Sequence, residues 1–125
     1  MNKTIASPAA PAAVGPYCQA KLCGDTLYTS GQLGLDPAAG KLAEGGIEGQ
    51  AHQSLKNLGA ILKESGMDYS DVVKTTCFLA DIKDFAAFNA IYAEYFKGEV
   101  PARSCFQVGA LPMGALVEVE AVAVK

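Results

Sequence analysis

The chain has 125 residues, half of them hydrophobic and only 18% charged, with a formal net charge of −3. That length suits one domain over residues 1–125 and leaves too little chain for a second core. No lysine or arginine run is present and no apolar stretch approaches the ~20 residues of a membrane span, so neither nucleic acid nor membrane is an expected partner. The opening MNKTIASPAAPAAVGPY carries one lysine and no continuous apolar core, so no secretory signal is expected there and the cytoplasm is the expected compartment.

A small domain has much surface and normally covers it with charge, so the low charge here suggests burial between subunits. Cysteines stand at 18, 23, 77 and 105, and His52 is the single histidine. Their spacing matches no zinc pattern, so free thiols and no metal site are expected.

In chain order, Ala and Pro crowd residues 6–13, which reads as an extended arm. Residues 17–22 and 26–30 read as a hairpin turning at Gly24-Asp25. Glycines at 31, 34, 40, 45 and 46, with Asp36-Pro37, predict a long loop. From residue 47 to about 65, Ile47, Ala51, Leu55, Leu58 and Leu62 recur at helical steps, and Gly66 stops the run. Residues 72–79 are β-branched and predict a strand. Asp84 is the expected cap of a second helix carrying a Phe85, Phe88, Tyr92 and Tyr95 stripe. Lys97-Gly98 and Pro101 end that helix, and strands follow over 103–108 and 116–124.

The order β-β-α-β-α-β-β predicts an α+β fold, a mixed sheet with two helices on one face. With no third helix to cover the other face, a neighbouring subunit's sheet is the expected cover. If the last two strands form a hairpin with a symmetric loop, Gln107 falls opposite Glu118 and Cys105 opposite Glu120. Alternation then gathers Arg103, Cys105, Gln107, Glu118 and Glu120 on one face. Such a face is either a solvated ion pair or a site. In a site, the planar fork of Arg103 would grip a carboxylate and a glutamate would position water or move a proton.

The run PARSCFQVGAL followed by VEVEAVAV resembles the RidA family, also called the YjgF family of reactive-intermediate deaminases. Pro101, Ala102, Arg103, Ser104, Val117 and Glu118 carry the signature; Val119 departs slightly, where Ile or Met is more usual. The resemblance extends through AVGPYCQA, TSGQLGLDP and VVKTTCFLADIKDFAAFN, and so covers nearly the whole chain.

It implies a chorismate-mutase-like fold of the bacillus type and a homotrimer whose sheets form a barrel, with sites between subunits. The implied activity is cofactor-free hydrolysis of 2-imino acids, such as 2-iminobutanoate and 2-iminopropanoate, to 2-oxo acids and ammonia. These imines leak from pyridoxal-phosphate enzymes such as threonine dehydratase, a step that supplies isoleucine biosynthesis, and damage such enzymes if they accumulate. By resemblance, Arg103 grips the substrate carboxylate, the Cys105 backbone holds the imine nitrogen or the water, and Glu118 orients the water. Tyr17, Ser30, Gly31 and Asn89 match positions that line or complete the cleft.

A Cys105 nucleophile is disfavoured, because imine hydrolysis needs no covalent step and His52 is expected on the exposed side of the first helix. Met113 departs from many relatives, in which a charged residue is common there. Two other functions stand beside the deaminase: a non-catalytic sensor of small 2-oxo or amino acids, which needs only the arginine, and an endoribonuclease or translation inhibitor, which the acidic charge opposes.

Overall fold

The computed structural model describes residues 2–125. Its strands are β1 (Asn2–Ile5), β2 (Ala20–Cys23), β3 (Thr26–Thr29), β4 (Gln32–Leu33), β5 (Leu35–Asp36), β6 (Lys41–Leu42), β7 (Val72–Leu79), β8 (Ala102–Gln107) and β9 (Val117–Val124). The helices are α1 (Gly46–Glu64) and α2 (Phe85–Tyr95). Together they form an α+β fold with a mixed sheet ordered β1-β2-β3-β9-β7-β8, in which β4 also pairs with β9. Among the described residues no helix is long and apolar enough to cross a membrane.

The β2–β3 turn at Gly24-Asp25 has its positive φ at Gly24 alone (61°). That is the signature of a type II′ hairpin turn, which places glycine at its first central position. Strand β1 was not expected: three of its four residues are exposed and only Ile5 is buried. An edge strand of that kind carries no alternation to read. The first hairpin strand begins at Ala20, because Cys18 and Gln19 serve instead as acceptors for Ser30. Asp84 occupies the α2 cap position without a side-chain cap bond; Asp81 accepts from the Lys83 amide one short turn earlier.

The expected last hairpin does not form. Strand β7 lies between β8 and β9, parallel to the first and antiparallel to the second. Parallel pairing needs a crossover, and α2 supplies it. The segment after β8 then crosses the end of β7, where Val108 donates to the Leu79 carbonyl and Ala80 to the Leu116 carbonyl. Gln107 is therefore in register with Leu79, and Glu118 with Phe78.

Both helices cover one face of the sheet. Leu55, Leu58, Ile61 and Leu62 of α1 and Phe88 of α2 are fully buried with Val117, Val119, Cys77 and Leu79. Each such aliphatic or aromatic side chain contributes about 1.5–3 kcal/mol through burial. The α1 leucines stand where their spacing places them, but α1 also buries Gln50, Ser54 and Asn57. Ser54 donates to the Gln32 carbonyl, Asn57 to those of Leu33 and Leu35, and Gln50 accepts from the Leu116 amide. The Ser54 and Asn57 bonds tie the short strands β4 and β5 to the helix. The opposite face carries Tyr28, Phe106 and Val124, each more than two-fifths exposed.

Candidate functional site

Arg103 lies on the helix-covered face of β8, in register with Thr75 of β7. Its guanidinium carbon is 4.8 Å from the Tyr92 ring centroid and 5.5 Å from that of Phe85. Asn89 sits between these rings in sequence, one helical turn from each, and so on the same face of α2. Its Oδ1 is buried without a hydrogen-bond partner. A buried amide oxygen of this kind is costly unless a donor meets it.

Cys105 follows Arg103 on the same face, in register with Cys77. Burial pushes the Cys105 thiol up, and the nearby Arg103 charge only partly offsets it. Burial raises Cys77 to about 12. Thiols shifted upward carry little thiolate near neutral pH and are poor nucleophiles. Burial likewise pushes the Tyr92 phenol up. His52 is half-buried rather than exposed; its Nδ1 lies 2.8 Å from the Tyr95 hydroxyl, so its partner belongs to the helix packing.

Glu118 lies on the other face. Strands β3 and β4 both run along β9, and the break between them falls at Ser30-Gly31. The break has a local cause: the Ser30 amide donates to the Gln19 carbonyl at 2.8 Å, and its Oγ to the Cys18 carbonyl at 2.6 Å. Into that gap reaches the Glu118 carboxylate. A Cβ on Gly31 would stand 2.7 Å from both its carboxyl carbon and Oε2, so glycine is required for the approach. Burial raises the Glu118 pKa, and the Glu120 charge adds to the rise.

A cleft of about 430 Å³ opens beside this carboxylate, with Tyr17, Gly31, Met113 and Glu118 among its lining residues. One wall is the N-terminal arm. Gln19, which the sequence reading passed over, pins it: Oε1 accepts from the Ser7 amide at 2.6 Å and Nε2 donates to the Pro11 carbonyl at 2.8 Å. A lone glutamine beside an Ala-Pro arm was the available signal. Met113 holds a left-handed φ of 61° at the cleft.

The expected residues thus form two groups. Tyr17, Gly31 and Glu118 meet at the cleft, with Ser30 shaping its backbone. Arg103, Cys105 and Asn89 meet under α2. Glu118 and Glu120 do not share a face with Arg103 and Cys105, contrary to the hairpin register. The strand inserted between β8 and β9 resets the pairing, and β9 turns Val117, Val119, Ala121 and Ala123, not its glutamates, towards the helices.

The α+β chain thus carries a stacked arginine on one sheet face and a desolvated glutamate on the other. A family model described as Endoribonuclease L-PSP matches residues 7–125, and the chain belongs to that family, the RidA/YjgF family. The chain is 53% identical over 125 residues to a 2-iminobutanoate/2-iminopropanoate deaminase of Rattus norvegicus, covering 100% of this chain and 91% of the relative. Among solved structures, RidA from the Antarctic bacterium Psychrobacter sp. PAMC 21119 is similar at TM-score 0.95 and 43% identity, over 98% of this chain and 99% of that one. E. coli TdcF with bound serine is similar at TM-score 0.94 and 38% identity, over 98% of each chain.

Proposed function

We propose that this protein hydrolyses 2-imino acids, 2-iminobutanoate and 2-iminopropanoate among them, to 2-oxo acids and ammonia. The observation that carries the reading is the presence of both Arg103 and Glu118 in a chain 53% identical over its full length to a deaminase of those imines. Arg103 binds the substrate carboxylate. Glu118 takes a proton from water as the water oxygen bonds to the carbon of the protonated imine. That proton then passes to nitrogen. Glu118 takes the carbinol hydroxyl proton as the C–N bond breaks with its electrons leaving on ammonia and the C=O bond of the oxo acid forms. The proton ends on ammonia, which departs as ammonium. The Cys105 backbone and Asn89 Oδ1 hold the nitrogen side, while Tyr17, Ser30 and Gly31 shape the water side. No cofactor enters the balance. A sensor of small acids would need the arginine alone; the desolvated glutamate favours turnover.

Arg103 and Glu118 leave opposite faces of one sheet, so the complete site joins the edge strand β8 of one protomer to the cleft of its neighbour. The assembly that does this is a homotrimer with the exposed sheet faces turned inward as a barrel. In light scattering the protein is expected at about three times the 12.9 kDa chain mass. A monomer persisting at micromolar concentration would refute the shared site.

The function is tested with threonine dehydratase as the imine source. Added protein should accelerate release of 2-oxobutanoate; an unchanged rate would refute the deaminase. Gly31→Ala gives a finer test. Its Cβ collides with the movable end of Glu118 rather than with backbone, so the fold should survive while the carboxylate shifts. Misplacement of a catalytic group by about 1 Å costs up to about 100-fold, so kcat should fall by at least about tenfold with melting temperature nearly unchanged. A normal kcat would separate Glu118 from the chemistry.

A further inference from the structure

The Tyr92 ring lies under the Arg103 guanidinium, and the structure shows why it stays there. Its hydroxyl is 2.7 Å from the Thr75 Oγ1, and Thr75 is fully buried. Its ring packs against Phe96 at 4.5 Å and Phe88 at 5.7 Å between centroids. Only 8% of Tyr92 is exposed, against 37% of Phe85, the other ring near Arg103. Tyr92 is therefore fixed on every side, whereas Phe85 is open to solvent. Thr75 is also the residue of β7 in register with Arg103. One strand position thus sets both the backbone under the arginine and the ring against its side chain.

A guanidinium over a ring face keeps its in-plane N–H donors free at the edge, and an arginine already held loses less freedom when it binds a carboxylate. We propose that Tyr92, anchored by Thr75, is the positioning residue that orients Arg103 for the substrate carboxylate. The proposal rests on the reading of Arg103 as the carboxylate clamp. Tyr92 touches no substrate and acts only through the arginine.

The test measures the 2-oxobutanoate Kd by calorimetry, and KM and kcat with 2-iminobutanoate. Tyr92→Leu removes the ring and should raise Kd and KM about tenfold while kcat stays within about threefold, the pattern of lost uniform binding. In an Arg103→Ala background the same change should add less than about twofold, because the group it orients is gone. A merely structural role would weaken binding equally in both backgrounds.

Thr75→Val and Tyr92→Phe keep the shapes and remove one end each of the hydroxyl pair. Each should raise Kd by about two- to fivefold, and the double variant no further, since both delete one bond. This cycle decides the matter if Tyr92→Leu does not fold. Wild-type affinity in Tyr92→Leu, or unchanged affinity in both hydroxyl variants, would overturn the positioning role while a weakened but measurable affinity in Arg103→Ala left the site reading intact. A normal Arg103→Ala would overturn both.

Discussion

Arg103→Ala is expected to weaken 2-oxobutanoate binding by at least about tenfold, with KM for the imine rising in parallel. Hydrogen bonds to charged groups contribute about 1.5–3 kcal/mol each, and a two-pronged clamp loses two of them. Nothing else in the α2-covered group replaces the charge: Asn89 offers an amide, and the Cys105 and Cys77 thiols are shifted towards their neutral forms. Arg103→Lys should fail as well. An ammonium keeps the charge but presents a point rather than a planar fork, and it cannot lie flat over the Tyr92 ring in the same way. Calorimetry with 2-oxobutanoate, alongside thermal unfolding to confirm the fold, measures both variants. Wild-type affinity in Arg103→Ala would remove the arginine from the site.

Glu118→Gln should lower turnover by about 10²–10⁴-fold, the usual contribution of a general base. The amide keeps the shape beside Gly31 but cannot take a proton from water. Because the proposed carboxylate clamp, Arg103, belongs to the other group, 2-oxobutanoate affinity should stay within a few-fold. Cys105→Ser should keep most activity, since the backbone remains and the thiol carries little thiolate. The pH profile supplies a second check. Water activation needs ionised Glu118, and burial raises its pKa. The acid limb of kcat should therefore fall at a higher pH than an ordinary carboxylate would give, and should vanish in Glu118→Gln. An inactive Cys105→Ser beside an active Glu118→Gln would reverse the mechanism and make the thiol the working group.

Much of this protein is written in local sequence. The leucine spacing of α1 and the β-branched run of β7 each carry their own period, because side chains three or four apart on a helix, or two apart on a strand, share a face whatever surrounds them. The motifs around Arg103 and Glu118 carry the family resemblance for the same reason: they are short and contiguous. Even the sharing of a face by Arg103 with Cys105, and by Glu118 with Glu120, is legible, since alternation within one strand is fixed by the pleat.

The relation between strands was not legible. Backbone amides and carbonyls pair with those of any extended neighbour, so no side chain in β8 states that β7 rather than β9 lies beside it. That single choice moved Glu118 to the face opposite Arg103 and turned an expected one-strand-pair site into two groups. The close approach of the Glu118 carboxylate to Gly31 depends on the break between β3 and β4, which arises from Ser30 bonding back to residues 18 and 19. The unpartnered Oδ1 of Asn89 and the Thr75–Tyr92 anchor appear only once α2 crosses over β7. Residue type and local period determined which groups this protein possesses. Long-range strand pairing, which backbone hydrogen bonds stabilise without regard to side-chain identity, decided which of them meet.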